Sequence, residues 1–337
     1  MTASLPLVYG QTVAAARRIS IAPMMGCTDR HDRYLLRLIT RRALLYTEML
    51  TIQALLRGDR SRLLEFDSAE HPLALQIGGS DPDAMADGSE IAQAWGYDEI
   101  NINVGCPSNR VQAGRFGACL MAEPERVAEC VAAMRARVTV PVTVKTRIGI
   151  DDRDSFTELC RFVEIVADAG CTTFIVHARK AWLDGLSPRQ NRTIPPLRCD
   201  WVYALKQRYP TLTLVVNGGV RTGADIHEHL THGVDAVMIG REAYANPFML
   251  AGVDQEFFGV EDVPRTRRDV LAGYIDYCER QLVGGCRLNR LTRHVIGLFQ
   301  GQPNARAWRR HLSEHAHRPG AGTEVIRAAA KYVCAPL

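Results

Sequence analysis

Short runs of apolar and β-branched residues alternate with longer segments of helical periodicity through most of the chain. The apolar runs predict strands at residues 19–22, 44–48, 73–77, 100–103, 142–145, 173–177, 212–217 and 236–239. Apolar residues at helical spacing predict intervening helices, among them 82–95, 123–137, 155–169, 201–209 and 222–232. Eight strands with helices between them favour parallel βα units that close into a (β/α)8 TIM barrel. An open doubly wound sheet is the alternative, but no G-x-G-x-x-G follows the first strand.

The alternation stops after residue 247, and only helical spacing continues beyond it. This pattern predicts helices at 265–283, 287–299 and 305–315. We therefore expect two domains: a TIM-barrel catalytic domain over residues 1–250 and a small all-helical domain over residues 260–337.

The composition bears on the cellular compartment of the protein and on the distribution of its charge. No run of about 18 apolar residues could span a bilayer, and the N-terminus lacks an export-signal pattern. The ten cysteines show no framework spacing, so we expect reduced thiols and a cytoplasmic protein. The net charge of +4 is uneven, because residues 261–337 hold 13 Lys and Arg against 7 Asp and Glu, a local net charge of +6. Such an excess indicates either a solvated face or a polyanionic partner such as nucleic acid.

Polar or glycine residues stand where the predicted strands end. In a (β/α)8 barrel the carboxyl ends of all strands meet at one face, where the chemistry of such enzymes lies. We therefore expect one mouth lined by Pro23, Met24, Glu48, Gln76, Asn103, Lys145, Arg147, His177, Arg179, Asn217, Gly218, Gly219, Gly240 and Arg241.

Two glycine motifs at the last two strands predict a phosphate site. Gly218 and Gly219 precede a helix, and Gly240 precedes Arg241. Glycines let backbone N–H groups approach an anion, and a helix N-terminus adds a favourable dipole. A glycine pair is also common in simple turns. The ligand could be a phosphosugar, a phosphorylated cofactor or flavin mononucleotide (FMN).

Lys145 and His177 end neighbouring predicted strands and are open to more than one interpretation. A buried lysine could form a Schiff base, as in an aldolase. Equally, a cation could hold negative charge on a flavin ring as the ring is reduced. Met24 is consistent with packing against a flat ring or with an ordinary core position, and Gln76 could hydrogen-bond the polar edge of such a ring.

Cys106 follows a predicted strand on a glycine-rich loop, close to Asn103. The chain has no C-x-x-C pair, so a metal site at this cysteine is not indicated. A nucleophilic cysteine would need a paired histidine and a third orienting group, and His177 is a possible partner. A thiol that stays protonated at neutral pH could instead donate a proton to a developing carbanion.

Seven short motifs together resemble the tRNA-dihydrouridine synthases. They are APMM at 22–25, LQIG at 75–78, INVGCP at 102–107, VKTR at 144–147, VHARK at 176–180, NGG at 217–219 and IGR at 239–241. The segments 177–197 and 304–320 resemble subfamily A of that family in particular. The resemblance covers residues 19–318. It implies an FMN-binding barrel, a C-terminal helical domain, and NADPH-dependent reduction of the uridine 5,6 double bond in the tRNA D-loop, at positions 20 and 20a.

The resemblance also implies roles for single residues. Cys106 would donate the proton to uracil C5 while hydride reaches C6, and Asn103 would contact the flipped uridine. The residues implied to line FMN are Pro23, Met24, Met25, Gln76, Lys145, His177, Asn217, Gly218, Gly219, Gly240 and Arg241. The candidate RNA contacts are Arg179, Lys180, Leu183, Arg192, Arg306 and Arg309. No metal and no obligate protein partner are implied.

Three other functions fit parts of the sequence. A flavin enzyme acting on free pyrimidines, similar to dihydroorotate dehydrogenase, would share the barrel, FMN and cysteine, but would not need the basic helical segment. A lyase or isomerase would use Lys145 as a Schiff base. An RNA-binding module on an inactive barrel would bind tRNA without flavin.

Overall fold

The computed structural model describes residues 12–334, so the outermost parts of the two expected domains, 1–11 and 335–337, lie outside the described residues. Eight parallel strands close into a barrel, which confirms the predicted fold class. They are β1 (Ile19–Ile21), β2 (Leu44–Tyr46), β3 (Leu73–Gly78), β4 (Glu99–Val104), β5 (Val142–Arg147), β6 (Thr173–His177), β7 (Thr213–Asn217) and β8 (Ala236–Ile239). Each strand pairs with its neighbour in chain order, and β8 closes the barrel against β1. A further two-residue strand, Leu50–Thr51, extends the pairing at the carboxyl end of β3.

Helices cover the outside of the barrel. The α-helices that precede residue 260 are α1 (Val13–Ala16), α2 (Arg30–Ile39), α3 (Ile52–Arg57), α4 (Arg60–Leu63), α5 (Pro82–Trp95), α6 (Asn109–Ala113), α7 (Pro124–Arg137), α8 (Phe156–Asp168), α9 (Cys199–Arg208), α10 (Gly223–Thr231), α11 (Arg241–Ala245) and α12 (Val253–Phe258). Short 3-10 helices lie at Ser68–Glu70, Gly117–Ala122, Gln190–Arg192 and Pro247–Leu250. Within residues 12–334, no helix is both long and apolar enough to cross a membrane.

The C-terminal segment is helical, as expected. It contains α13 (Arg267–Val283), α14 (Leu288–Val295), α15 (Ala305–His315) and α16 (Glu324–Ala330), and α14 continues into the 3-10 helix Ile296–Phe299. The three predicted helices thus exist with slightly shifted ends, whereas α16 was not predicted.

The barrel interior has an apolar part and a polar part. Side chains of alternate strand residues point inward, so each strand contributes one face to the interior. Buried apolar side chains fill the part bounded by β1, β2 and β6–β8, among them Leu44, Tyr46, Ile175, Val215 and Met238. A larger apolar cluster joins the outer faces of the strands to the helices. The polar part lies along β3–β5 and contains Gln76, Glu99, Asn101 and Thr143.

The helical segment is attached to the barrel at the start of α2. Asp29 caps α2 by accepting hydrogen bonds from the amides of His31 and Asp32, at 2.9 and 3.1 Å. The same carboxylate pairs with His294 at 3.0 Å and Arg293 at 3.0 Å, both on α14. Burial alone would raise the pKa of Asp29, but the hydrogen bond and charge of His294 lower it well below its usual value. Helix α14 is therefore anchored beside the loop that follows β1.

Candidate active site

The carboxyl ends of the barrel strands bring most of the expected site residues to one mouth. Strand register places Asn103 beside Lys145, Arg147 beside His177, and His177 beside Asn217. These residues are far apart in the chain. Pairing of the parallel strands brings them together.

Cys106 lies half-buried on a folded loop at this mouth. Its Sγ is 3.5 Å from the Ser108 hydroxyl. The Asn103 Oδ1 atom accepts hydrogen bonds from the amides of Gly105 and Cys106, at 3.1 and 2.9 Å. The Cys106 carbonyl accepts one from the Ala118 amide at 2.9 Å. Hydrogen bonds with Asn103 and Ala118 thus fix the backbone on both sides of the thiol.

Arg147 joins this loop to the one that follows β6. Its Nε donates to the Gly105 carbonyl at 2.8 Å, and its Nη1 donates to the carbonyls of Lys180 and Asn191, both at 3.0 Å. Burial lowers the pKa of this guanidinium to about 10, with added repulsion from Arg192. Sequence reasoning placed Arg147 at a strand end without giving it a role. The available signal was its spacing of two from Lys145, which puts both cations on one strand face.

The loop 178–198 lies against the Cys106 loop and contains several of the expected RNA contacts. The Gln112 amide donates to the carbonyls of Pro107 and Leu183, at 3.1 and 2.7 Å, and so joins the two loops. Lys180 pairs with Asp154 at 2.7 Å. Arg179 donates a hydrogen bond to the Pro195 carbonyl. Arg179, Lys180 and Leu183 therefore make contacts within the protein that stabilise this loop.

Lys145 and His177 are enclosed among other cations. The Lys145 ammonium donates to Asn217 Oδ1 at 3.0 Å, and Asn217 Nδ2 in turn donates to the Met238 carbonyl at 2.8 Å. Burial, with added repulsion from Arg147, lowers the pKa of Lys145 to about 7. Burial and four cations lower the pKa of His177 well below its ordinary value, so its imidazole is neutral at pH 7. The charged groups that shift the pKa of His177 most are all positive. Such a cluster of cations favours binding of an anion.

The glycine pair that follows β7 lies close to His177. Gly218 and Gly219 adopt φ values of +121° and +80°. Among residues 12–334, neither amide donates a hydrogen bond to another part of the chain. A Cβ at Gly218 would lie 3.0 Å from His177 Cδ2, and one at Gly219 would lie 2.7 Å from Leu197 Cδ1. Glycine is required at both positions because the backbone is left-handed and because His177 and Leu197 fill the space that a Cβ would need. The free N–H groups fit an anionic oxygen.

Helix α10 was expected to complete the phosphate site. Its own side chains already accept hydrogen bonds from several amides at its N-terminus. Asp225 accepts from the amides of Arg221 and Thr222, at 2.7 and 2.9 Å, and Thr222 Oγ1 accepts from the Asp225 amide at 3.2 Å. The Gly218 and Gly219 amides are therefore the better donors. Gly240 precedes α11, and the exposed Arg241 guanidinium donates to the Arg192 carbonyl at 3.2 Å.

The segment after β1 forms an apolar flank of the mouth. Pro23 and Met24 are half-buried, and Met24 packs against the apolar part of the barrel interior. Met25 is 64% exposed, so it offers apolar surface to a ligand or partner. The Gly26 amide donates to the Glu48 carboxylate, and the Gly26 carbonyl accepts from Arg293 at 3.1 Å.

Gln76 and Asn103 belong to a polar network that sequence reasoning largely missed. The Gln76 amide donates to Asn101 Oδ1 at 2.7 Å and accepts from Asn103 Nδ2 at 2.8 Å. Asn101 donates to Thr143 Oγ1 at 2.8 Å. The signal was a polar residue at every second position of β4, which is otherwise Ile and Val. Such alternation in a barrel strand indicates a polar interior.

Arg192, Arg306 and Arg309 are placed differently from the rest. Arg192 is exposed. Partial desolvation lowers its pKa, and Arg241 is the charged group that lowers it most. Arg306 and Arg309 lie on α15, in the helical segment, where Arg306 is exposed and Arg309 donates to Gln300 Oε1 at 3.2 Å. The structure therefore separates the expected RNA contacts into a group at the mouth and a group on α15.

These features together define a class of protein. The closed parallel barrel carries its reactive and charged groups where the strands end, as (β/α)8 enzymes do. The excess of cations and free amides there suits an anionic ligand.

Comparison with known proteins gives the family. A family model described as "Dihydrouridine synthase (Dus)" matches residues 20–333. The chain is 56% identical over 311 residues to the tRNA-dihydrouridine(20/20a) synthase of Synechocystis sp., covering 92% of this chain and 93% of that protein. It is 54% identical over 323 residues to that of Escherichia coli, covering 96% of this chain and 97% of that protein. The chain belongs to the dihydrouridine synthase family, as the motifs predicted.

A solved structure supports the fold alone. A 2-naphthoyl-CoA reductase complex superposes with a TM-score of 0.55 at 10% identity, covering 71% of this chain and 50% of that one. Among the functions left open by the sequence, family membership favours a uridine reductase over the Schiff-base lyase, the free-pyrimidine enzyme and the RNA-binding module.

Proposed function

We propose that this protein reduces the 5,6 double bond of uridine in the tRNA D-loop to dihydrouridine, at positions 20 and 20a, with FMN as cofactor and NADPH as reductant. The observation that carries the proposal is that the Cys106 loop and the free Gly218 and Gly219 amides meet at one mouth with a cluster of cations. Relatives named tRNA-dihydrouridine(20/20a) synthase support the choice of substrate.

The residues present at the mouth fit FMN. The Gly218 and Gly219 amides and the Arg241 guanidinium suit its phosphate, and Lys145 suits negative charge on the reduced ring. Neutral His177 can donate or accept a hydrogen bond at the ring edge. The full set proposed to contact FMN is Pro23, Met24, Met25, Gln76, Lys145, His177, Asn217, Gly218, Gly219, Gly240 and Arg241.

FMN held by these residues would supply hydride chemistry toward uracil C6, with NADPH as the source of the electrons. Cys106 donates its thiol proton to C5, so the double bond gains one hydride and one proton. Asn103 keeps the Cys106 amide in place. One hydrogen of its Nδ2 is bonded to Gln76. We propose that the second hydrogen contacts the base.

A uridine in folded tRNA must leave its stack before it can enter a barrel mouth. The exposed Arg192 is the best-placed candidate for backbone contacts during this step. Arg179, Lys180 and Leu183 would act through the loop 178–198, and Arg306 and Arg309 would bind phosphates from α15. Recognition would then depend mainly on tRNA shape and on phosphate contacts.

The proposed activity also suggests an organisation for the chain. We assign catalysis to a barrel domain over residues 1–250 and tRNA binding to a helical domain over residues 260–337. The grouping of α13–α16 after the last strand supports this division. A tRNA substrate is consistent with a cytoplasmic protein, and the proposal requires no further protein partner.

The proposal is tested with the purified protein. We expect a yellow protein that, with NADPH and unmodified tRNA, forms dihydrouridine at positions 20 and 20a, mapped by mass spectrometry. Free uracil and orotate, which both carry the 5,6 double bond, serve as competing substrates. A colourless preparation that binds no added FMN, or turnover of a free pyrimidine but not of tRNA, would contradict the proposal.

A further inference from the structure

The polar part of the barrel interior forms one continuous chain of side-chain hydrogen bonds that ends at the Cys106 loop. From the loop inward, Asn103 Nδ2 donates to Gln76 Oε1 at 2.8 Å, Gln76 Nε2 to Asn101 Oδ1 at 2.7 Å, and Asn101 Nδ2 to Thr143 Oγ1 at 2.8 Å. The Thr143 hydroxyl donates to Glu99 Oε1 at 2.6 Å. All of these side chains except Asn103 are at most 1% exposed, so water does not compete for their hydrogen bonds.

Glu99 determines the direction of this chain. Its Oε2 is paired with the buried Arg17 guanidinium, so the carboxylate has no proton to give and can only accept. The single Thr143 proton must therefore point to Glu99, which leaves the Thr143 oxygen to accept from an amide N–H. Asn101 then has to present its oxygen to Gln76.

The orientation of the Asn101 amide fixes that of Gln76, and Gln76 in turn fixes that of Asn103. Gln76 presents its NH₂ group to Asn101 and its oxygen to Asn103, so Asn103 turns its own oxygen toward the loop. That oxygen is the acceptor for the amides of Gly105 and Cys106. If Asn103 were turned over, its NH₂ group would face these two N–H donors, and the loop would lose both hydrogen bonds.

We infer that Glu99, Thr143 and Asn101 are positioning residues that orient the Asn103 amide and thereby hold Cys106 in place for proton donation. Glu99 lies at the amino end of β4 and touches none of the proposed flavin or substrate contacts directly, so its effect would be transmitted through the chain of amides. The inference rests on the proposed role of Cys106 as the proton donor.

Thr143→Val is the most direct test because it removes the hydroxyl while keeping the shape of the side chain. Asn101 would lose its acceptor, and the amide orientations beyond it would no longer be determined. We expect amide hydrogen exchange in peptides covering 103–107 to accelerate about tenfold or more, with other peptides unchanged. Oxidation of the reduced flavin by tRNA should slow by a similar factor, because the thiol is misplaced. Reduction of the flavin by NADPH does not use the thiol, so it should slow by a smaller factor.

Two controls share the site. Thr143→Ser keeps the hydroxyl and should restore both measurements. Tyr46→Phe removes a different donor to the same Glu99 oxygen, at 2.5 Å, but Tyr46 is not part of the path to Asn103. It should therefore leave exchange at 103–107 unchanged.

Glu99→Gln is an independent second variant. Its oxygen would stay with Arg17, so its NH₂ group would face Thr143 and favour the reversed orientation of every amide. Faster exchange confined to 103–107 in this variant supports the inference even if Thr143→Val does not fold. Wild-type exchange in both variants, or an equal effect of Tyr46→Phe, would overturn it. If wild-type protein makes no dihydrouridine, the proposed function fails, whereas the exchange measurements still test the positioning.

Discussion

At the scale of single residues, enclosure of Lys145 changes its chemistry. Its pKa of about 7 means that the side chain is only partly charged at neutral pH in the free protein. An anion bound beside Lys145 would supply a counter-charge to it and to the neighbouring Arg147, and would raise this pKa again.

Binding of FMN should therefore depend on the protonation of Lys145. We expect FMN affinity of the apoprotein to weaken as pH rises above about 7, by up to about tenfold per pH unit, because the free lysine must take up a proton to pair with the anion. Titration calorimetry in buffers of different ionisation enthalpy would detect the proton uptake. Lys145→Met should bind more weakly at pH 6 and lose this pH dependence. Equal pH dependence in the variant would contradict the assignment.

Sequence reasoning found the site residues that carry a reactive or charged group at a strand end. It missed those whose role depends on the strand register. Cys106, Lys145 and His177 stand out because a reactive or charged group at a strand end is unusual. Glu99 and Thr143 lie near the amino ends of their strands, away from the mouth, and their importance arises only when β4 and β5 are paired in the observed register. Register depends on contacts between distant parts of the chain, so the hydrogen-bonded path between them could not be predicted from a single sequence.

At the scale of secondary structure, the strands were predictable because barrel strands are short, apolar and separated by helices of regular length. All eight predicted strands are present, and their ends differ from the predicted ones by at most two residues. The two-residue strand Leu50–Thr51 and helix α16 were missed because each is short. The loop 178–198 was recognised only as a motif, because its position is set by Arg147 and Gln112 from other elements.

The turn after β7 allows a test with a closely matched control. Gly219 and Gly233 have similar φ values, +80° and +88°, but a Cβ at Gly219 would meet Leu197 whereas one at Gly233 would meet nothing within 4 Å. Alanine at either position should cost about 1–2 kcal/mol of stability from the left-handed backbone, measured by denaturant unfolding. Only Gly219→Ala should also weaken FMN binding, measured by fluorescence titration. Unchanged FMN affinity in that variant would remove Gly219 from the phosphate site.

At the scale of the whole molecule, the helical segment and the barrel share one apolar core, and polar contacts join α14 to the loop after β1. A tRNA bound by the helical segment would thus be held beside the mouth. The +6 charge of residues 261–337 would supply the electrostatic attraction.

Charge reversal on α15 tests this arrangement. The double variant Arg306→Glu/Arg309→Glu should lower tRNA affinity about tenfold or more at moderate salt, because phosphate contacts are lost. NADPH oxidation with an artificial acceptor should be unchanged. Arg126→Glu/Arg137→Glu, an equal charge change on the exposed face of α7, is the control and should have a smaller effect. If both double variants bind tRNA alike, α15 is not the docking surface.

The central claim is that Cys106 is the proton donor at a flavin-binding barrel mouth, and the Cys106→Ala variant tests it most directly. In single-turnover experiments the variant should retain FMN and tRNA binding and be reduced by NADPH at the wild-type rate. Its reduced flavin should then transfer hydride to tRNA uridine at least about a hundredfold more slowly, because the acid is missing. Dihydrouridine formation at the wild-type rate in this variant would contradict the account.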